Sequence, residues 1–406
     1  MPSTDRNWAA ERVRSNFRID AFSGLMAGIY LGVTVAFLPV VVRRMGGSTE
    51  DVALVVAGPF IGHLFSPLFG YLLARFRPVT ITAVTATLSR SIFLVGVLVA
   101  ATPFALAFVS VTMWIIAVAN MASYATLMQG IYPDSERASA MGKVRIGASI
   151  ASIASATLAG LFIDSVPATF VFAAAALLSL PGAIAFGRIR HDPPAVLPVR
   201  HRPSHIARDV WRDHRYRRLL VSFTIFGFGN LMNAAIYPIL LVDHFNAPNS
   251  FVGFMTALQA GSAIIAYFVW GRFIDRGSSL RMTVINTSLV LLMPLGYLVA
   301  PSTMFLIPVA IVAGITNAGG DITFFTNIVQ LAPPGRIGDY AVAQSSLMGV
   351  RGTIAPFAAS ALLVAFPAQT VMVFAMGLMV AGLVVMDRAV RLATVQPSRV
   401  LEAVPA

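Results

Sequence analysis

The stretch GRFIDRGSSLR, Gly271–Arg281, is a short charged segment between two long apolar runs. A related segment, GYLLARFRPVT at Gly70–Thr80, also opens on glycine and ends in an arginine-rich tail between apolar runs. The later segment carries Asp275 where the earlier one has Ala74. A charged hinge that occurs twice in an apolar chain indicates a duplicated helical membrane protein.

The composition of the whole chain also places it in a membrane. Of its 406 residues, 57% are hydrophobic and 11% are charged, and the mean hydropathy is +0.79, whereas about 25% of residues are charged in ordinary soluble domains. Apolar runs of roughly 20 residues, enough to cross a bilayer as a helix, recur along the full length. Runs such as VFAAAALLSL at 171–180 lack the alternation of a membrane β-barrel. We therefore expect an all-α integral membrane protein.

The residue types present exclude several kinds of chemistry. Cysteine is absent, which excludes disulfides, thiolate metal sites and cysteine nucleophiles. No phosphate-binding loop or zinc-protease motif occurs, and the serines and histidines inside the apolar runs have no triad context. We expect neither an enzyme nor a bound cofactor or metal. Lys143 is the only lysine beside many arginines, which is typical of a GC-rich genome, and we expect a bacterial inner membrane.

The apolar runs and the charges or turns that bound them predict twelve membrane-spanning helices. They are expected at 20–42, 51–74, 79–100, 103–130, 141–164, 167–187, 219–242, 251–274, 281–300, 302–331, 340–365 and 369–388. In this arrangement 25 of the 29 basic residues fall on one side, Arg43 and Arg44 on the other, and Arg90 and Arg351 inside spans. Because positive charge is retained in the cytoplasm, we expect both termini to be cytoplasmic.

One long hydrophilic connection, 188–218, carries nine arginines and divides the spans into two sets of six. The expected domains are an N-terminal six-helix bundle at 1–187, the basic cytoplasmic linker at 188–218, and a C-terminal six-helix bundle with a short tail at 219–406. From His205 onward the linker has the pattern of an amphipathic helix on the membrane surface, with an apolar side formed by Ile206, Val210 and Trp211. Arginines beside a bilayer favour contact with anionic lipid, and we expect no nucleic acid partner.

The two sets of six spans match each other at a nearly constant offset. The matched positions are Pro39 and Pro238, Val52 and Val252, Gly70 and Gly271, and Arg145 and Arg351, at offsets of 199 to 206 residues. An even number of spans gives both halves the same orientation. The repeat is therefore parallel, with its axis along the membrane normal.

The segment GRFIDRGSSLR resembles the G-x-x-x-D-R-x-G-x-[RK] signature that follows the second helix of each half in the major facilitator superfamily. Twelve spans in two sets of six, with a basic central loop, are similar to the same family, and the resemblance covers essentially the full chain. It implies two pseudo-symmetric six-helix bundles that rock about a central cavity and expose one site alternately to each side of the membrane.

The same resemblance implies a cytoplasmic gate at the charged hinges. The gate residues are expected to be Gly70, Arg75, Gly271, Asp275, Arg276 and Arg145. Gly271 would allow close helix approach, and Asp275 would face the N-terminus of a helix in the other bundle, where the helix dipole favours an anion. The alternative is a plain turn with arginines that set topology. Ala74 lacks the acid, which predicts an asymmetric gate.

The family places its first, fourth, seventh and tenth helices around the cavity. Polar residues on these spans are therefore the expected substrate-lining set: Tyr30, Thr34, Asn120, Tyr124, Asn230, Asn233, Tyr237 and Asn317. Hydrogen bonding between helices is the alternative role for each residue taken singly.

Ionisable groups at bilayer depth cost about 2.5–3.5 kcal/mol, so each needs a partner or a use. Asp321 in the tenth span and Arg351 in the eleventh lie at nearly the same depth, roughly 15 Å from the cytoplasmic end. We expect an ion pair between them, either structural or acting as a protonation and substrate-anchoring site.

Three further polar residues lie inside spans. His63 and Gln259 occupy nearly equivalent positions in the second and eighth spans, which suits a bundle interface, and His63 either packs there or titrates near physiological pH. Arg90 lies near the middle of the third span. We expect it to turn inward onto polar groups of neighbouring helices, with anion binding as the alternative.

These features together predict a monomeric secondary transporter of a small molecule, coupled to protons. The proline of the drug antiporters' fifth-helix motif is missing from GASIASIASATLAG at 147–160, and the arginine of their fourth-helix motif is missing from VTMWIIAVANMASY at 111–124. Uniport, or a ligand-binding scaffold or sensor without net transport, are the alternatives.

Overall fold

The computed structural model describes residues 3–65, 68, 75–191, 203–333 and 336–395, and every regular element within them is helical. The first helices are α1 (Ser3–Arg44), α2 (Thr49–Leu64), α3 (Pro78–Val99), α4 (Pro103–Ile131), α5 (Asp134–Phe162) and α6 (Ala168–Phe186). The later helices are α7 (Pro203–Arg212), α8 (His214–Ile239), α9 (Asn249–Arg276), α10 (Ser279–Val290), α11 (Leu292–Val299), α12 (Ile307–Leu331), α13 (Ile337–Ala365) and α14 (Ala368–Val395).

Eleven helical segments of the described chain are long and apolar enough to cross a membrane. Helix α2 is shorter, at 16 residues, because most of the second predicted span beyond Leu64 lies outside the described residues. The ninth predicted span consists of α10 and α11, which are separated at Leu291. Helix α8 contains Pro238 and continues into a π-helical turn at Leu240–His244. The predicted all-α membrane fold is confirmed.

The two halves repeat one packing pattern. In the first half α1 packs against α5 and α6, while α4 packs against α2 and α3. In the second half α8 packs against α13 and α14, while α12 packs against α9 and α10. Each helix pair in one half has its equivalent in the other, which confirms the predicted pair of pseudo-symmetric bundles.

The halves meet along two helix pairs that the pseudo-symmetry relates, α2 with α13 and α5 with α9. Glycines allow the backbones to approach in both. A Cβ atom at Gly160 of α5 would lie 3.2 Å from Cα of Gly253 on α9. A Cβ atom at Gly352 of α13 would overlap the ring of Phe60 on α2. Close backbone contact of this kind is how helices associate in lipid.

The linker helix α7 is docked on the second half of the protein. Val210 is buried in a cluster with Tyr216 of α8 and Tyr340 of α13, while Trp211 is 53% exposed. The prediction that Val210 shares a membrane-facing side with Trp211 is therefore wrong, because the docked face of α7 is buried against protein. The side chain of Ile206 lies outside the described residues.

An ion-pair network fixes the same helix. Arg336, just before α13, donates hydrogen bonds to Asp209 of α7 and to Asp339, each at 3.0 Å. Hydrogen bonding to Asp339 raises the pKa of the Arg336 guanidinium. Asp213 caps α8 by accepting hydrogen bonds from the amides of Arg215 and Tyr216. The linker is thereby tied to both α8 and α13.

Candidate substrate cavity

A cavity of about 1200 Å³ lies between the two halves. Its first-half wall, from α1, α2, α4 and α5, is largely apolar and contributes hydroxyl groups from Thr34, Ser110 and Ser152. Its second-half wall, from α8 to α13, carries carboxamides, tyrosines and charges. The carboxamides on this wall are Asn230, Gln259, Asn286, Asn317 and Gln344. The charged and carboxamide side chains of the cavity thus lie on the second-half wall, among further apolar residues of that half.

The cavity wall carries two charged residues among those the structure describes, Asp321 on α12 and Arg351 on α13. Nη1 of Arg351 donates a hydrogen bond to the backbone carbonyl of Phe223 on α8. Gly227, one turn further along α8, makes room for the guanidinium, because a Cβ atom there would lie 2.5 Å from Cζ of Arg351. Nε of Arg351 is buried without a hydrogen-bond partner, and no described carboxylate pairs with the group.

Asp321 contacts a different helix. It accepts a hydrogen bond of 2.5 Å from the hydroxyl group of Tyr267 on α9, and its side chain is exposed to the cavity. The predicted Asp321–Arg351 ion pair is therefore not formed. Helices α12 and α13 make few contacts with each other, so equal depth along the two axes does not bring the side chains together.

The predicted substrate-lining residues divide into two groups. Thr34, Asn230, Tyr237 and Asn317 line the cavity. The other four, Tyr30, Asn120, Tyr124 and Asn233, are not among its lining residues and have partners between helices.

The side chains of the second group form hydrogen bonds with residues of neighbouring helices. The Tyr30 hydroxyl group donates to Sδ of Met113 at 2.5 Å, and Nδ2 of Asn120 donates to the carbonyl of Thr82 at 3.2 Å. Nδ2 of Asn233 faces Sδ of Met379 at 3.4 Å. These side chains join helices within a bundle, which is the alternative role that their sequence positions left open.

Tyr124 is hydrogen-bonded to a buried carboxylate, that of Asp20, which the sequence did not predict as a functional residue. Asp20 of α1 is 1% exposed and accepts hydrogen bonds from Tyr124 at 3.0 Å and from Tyr132 at 2.8 Å. Its position at the edge of the first predicted span hid it among the charges of the N-terminal tail. Tyr124 near the end of α4 and Tyr132 just after it were the available signal, since buried carboxylates need donors.

The other intramembrane polar residues lie in different environments. Gln259 lines the cavity. His63 of α2 lies at the interface with α13. A Cβ atom placed on Gly349 of α13 would be 3.2 Å from the Cβ atom of His63. Arg90 is buried with Cζ 5.9 Å from the centre of the Tyr30 ring, and its Nη1 has no hydrogen-bond partner in the described structure.

Sequence comparison identifies the architecture that surrounds this cavity. The family model of the major facilitator superfamily matches residues 21–232 and 219–404. The chain belongs to the major facilitator superfamily. No curated protein sequence matches it significantly.

Solved structures of this superfamily share the fold. A mutant of the nucleoside transporter NupG superposes with a TM-score of 0.74 at 13% sequence identity, covering 92% of this chain and 99% of that one. A bacterial homologue of the human lysosomal transporter Spinster, in an inward-facing and unoccupied conformation, gives a TM-score of 0.68 at 13% identity, covering 97% and 99%. The chain is thus a multi-pass membrane protein with a transporter fold.

Contacts between the bundles, or their absence, define the two ends of the cavity. At the end opposite the linker the bundles are joined. Arg43 of α1 donates to Asp243, which follows α8, with Nε–Oδ2 at 3.0 Å. Thr49 and Ser360 share a hydrogen bond of 2.7 Å between α2 and α13.

A second set of contacts reinforces this closed end. Arg44 donates to the carbonyl of Ala247 across the bundle interface and lies 3.6 Å from Asp164 of its own bundle. Asn249, at the start of α9, donates to the same Asp164. Sequence reasoning missed this latch, because it treated Arg43 and Arg44 only as the few basic residues on that side.

Toward the linker end the bundles separate. On α5, Cβ atoms at Gly142 and Gly147 would meet no atom within 4 Å, and the same holds for Gly261 and Gly271 on α9. The same two helices touch at Gly160 and Gly253. The α5–α9 pair therefore diverges from the latched end toward the linker end.

The predicted gate residues lie at this separated end. Gly271 makes no close helix contact in this conformation, contrary to the packing role predicted for it. Arg276 and Arg145 are exposed, and Arg145 lies within electrostatic range of Tyr124 on α4 and Tyr267 on α9. Arg75 is exposed as well. Gly70 and the side chain of Asp275 lie outside the described residues.

Proposed function

We propose that this chain is a secondary active transporter that moves a small molecule across the bacterial cytoplasmic membrane by alternating access, coupled to protons. The observation that carries the proposal is the cavity between the two bundles, which are joined at one end of it and separated at the other. An arrangement of this kind presents one site to one side of the membrane at a time. If the bundles rocked about the cavity, the joined end would open and the separated end would close.

The charge distribution supports an orientation for this cycle. The linker end carries the basic residues of the tail, the linker and the hinges, and positive charge is retained in the cytoplasm. We assign both termini and the linker to the cytoplasm, so the cavity in this conformation opens inward. The Arg43–Asp243 latch then lies on the outer side. Anionic lipid is the expected contact of the linker arginines, and the transporter is expected to act as a monomer.

Asp321 is the candidate proton carrier. It lies in the cavity, no described cation neutralises it, and it accepts a hydrogen bond from the neutral Tyr267 hydroxyl group. A carboxylate that loses contact with water when the cavity closes is costly when charged, and protonation removes that cost. A cavity that opens alternately to each side would allow Asp321 to take up a proton on one side and release it on the other.

The alternatives predict different behaviour in one experiment. Proteoliposomes that contain the full chain and the entrapped pH dye pyranine are exposed to a panel of small molecules, with radiolabelled counterflow measured in parallel. A uniporter would give counterflow without proton movement. A scaffold or sensor would give neither, however tightly it bound a compound.

We expect wild type to give both signals with at least one compound, and Asp321→Asn to retain counterflow while losing proton flux. Asp387→Asn is the matched control, because Asp387 is on α14 and forms an exposed pair with Arg391. Proton flux that persists unchanged in Asp321→Asn would overturn the coupling assignment.

A further inference from the structure

We propose that the substrate is an amphipathic organic anion, whose carboxylate-like head binds Arg351 while its apolar body lies on the first-half wall of the cavity. This inference rests on the proposed transport function and specifies the chemical class of its substrate. Three observations carry it: an arginine without a counter-ion, a recess built to hold that arginine, and a cavity with chemically different walls.

Arg351 is the cation among the described residues that line the cavity. Arginine stays protonated in proteins, so the guanidinium brings a full positive charge into the transmembrane region. The described structure offers it a backbone carbonyl, that of Phe223, and leaves Nε buried without a partner. A guanidinium presents a planar fork of donors that matches two oxygens of one anion. The missing counter-ion is therefore best supplied by a ligand.

The sequence of α8 is adapted to this arginine. Phe223, Gly227 and Asn230 follow one another at about one helical turn, so they share a face. Phe223 supplies the carbonyl, Gly227 leaves the space that the guanidinium fills, and Asn230 brings a carboxamide to the cavity next along that face. The carboxamide can donate to an anion held by Arg351.

The negative charge in the cavity, that of Asp321, has a different kind of partner from Arg351. Asp321 accepts a short hydrogen bond from Tyr267, and Asn317 precedes it by one turn on α12. Arg351 contacts α8, whereas Asp321 contacts α9. Neither charge has a described counter-ion, but Asp321 becomes neutral when it binds a proton, whereas Arg351 stays charged and needs an anion. This difference favours an anionic head over a cationic one.

The first-half wall determines the rest of the molecule. Leu31, Val35, Val55, Met113 and Trp114 line the cavity on the first half, opposite the wall that carries the charges and carboxamides. The volume of about 1200 Å³ is larger than a small inorganic anion needs, since pockets for drug-sized ligands measure roughly 300–1,000 Å³. An apolar body attached to the anionic head would cover this wall and displace water from it.

The test uses matched probes and thermal unfolding of the full chain in lipid nanodiscs. Phenylbutyrate, phenylbutyramide and phenylbutylamine share one body and differ in head charge, and decanoate with decanamide provides an aliphatic pair. We expect carboxylates to raise the unfolding temperature at concentrations where the amides and the amine do not. Butyrate, which lacks the body, should bind more weakly than phenylbutyrate.

Variants locate the site. Arg351→Gln should weaken carboxylate binding by roughly 10- to 100-fold, as expected for a lost charged hydrogen bond, and Arg351→Lys should weaken it less. Gly227→Ala keeps the charge but displaces the guanidinium, so it should weaken binding too, which covers the case in which Arg351→Gln fails to fold. Arg391→Gln is the control arginine, exposed on α14.

The outcomes separate this inference from the proposed transport function. If no carboxylate stabilises the protein more than its amide, or if the preference survives both Arg351→Gln and Gly227→Ala, the anion assignment is wrong. Stabilisation by the amine alone would instead make Asp321 the recognition charge. Proton-linked flux without a preference for carboxylate head groups would overturn this inference and leave the transport proposal standing. A preference for carboxylates without counterflow would overturn the transport proposal and leave this inference standing.

Discussion

Arg43 and Asp243, 200 residues apart in the chain, join the two bundles through a forked ion pair in which Nε of the arginine lies 3.1 and 3.0 Å from the two carboxylate oxygens. Both side chains are partly exposed, at 25% and 41%. The pair therefore closes one end of the cavity with an interaction that water can replace when the bundles separate.

Breaking this pair should favour opening of the latched end. Partly exposed ion pairs contribute about 0.2–1 kcal/mol, so Arg43→Gln should raise the open population by up to about fivefold. The chain has no cysteine, so Thr256→Cys, on the cavity wall of α9, gives a background-free reporter for an impermeant maleimide. Arg391→Gln is the control. Labelling rates that are the same in Arg43→Gln, Asp243→Asn and wild type would contradict the latch.

Gly160 and Gly147 on α5 provide a matched test of the closed interface. A Cβ atom at Gly160 would lie 2.8 Å from the carbonyl oxygen of Asn249, whereas one at Gly147 would meet nothing. Gly160→Ala should therefore lower the stability of this conformation by about 1–3 kcal/mol, the usual cost of overpacking. Gly147→Ala should leave it unchanged or raise it slightly. Thermal unfolding in nanodiscs measures both, and equal midpoints would refute the contact.

Asp20 and its tyrosines predict a structural effect away from the cavity. Tyr132→Phe removes a 2.8 Å hydrogen bond from a buried carboxylate and should cost about 1–3 kcal/mol. Tyr267→Phe removes a hydrogen bond from Asp321, which faces the cavity and can be rehydrated. It should cost less stability and act on proton flux instead. A larger loss of stability in Tyr267→Phe than in Tyr132→Phe would reverse the assignment.

The docking of α7 can be tested by hydrogen exchange. Asp209→Asn removes the charge that meets Arg336, so the amides of 203–212 should exchange faster, while those of α3 should not change. Arg212→Gln is the matched control, because Arg212 is exposed on the same helix. Faster exchange in the control than in Asp209→Asn would show that the overall charge of α7, and not the Asp209–Arg336 ion pair, keeps the helix docked.

Much of the fold was predictable from the sequence because it depends on local patterns. Apolar runs of membrane length predict helices, and the repeated hinge at Gly70 and Gly271 predicts the duplication and the family. Each of these signals is carried by neighbouring residues. The packing pattern of the bundles then follows from the family.

Pairing between distant residues was not predictable in the same way. Depth along a helix follows from 1.5 Å per residue, which placed Asp321 and Arg351 at one level. Their partners depend on rotation about each helix axis, and the structure directs Arg351 to α8 and Asp321 to α9. Arg43 and Asp243 illustrate the same limit, since neither residue carries a local mark of the other.

The unequal walls of the cavity imply a division of labour between the two copies of the ancestral repeat. One copy holds the charges and carboxamides, while the other offers a surface shaped by aliphatic and aromatic side chains. In the proposed transporter, substitutions at Val35 or Val55 would change which hydrocarbon skeleton is accepted without altering the proposed recognition of the anion or coupling to protons. On this proposal, the range of substrates could change through the first half alone, while the charged and carboxamide groups of the second half are kept.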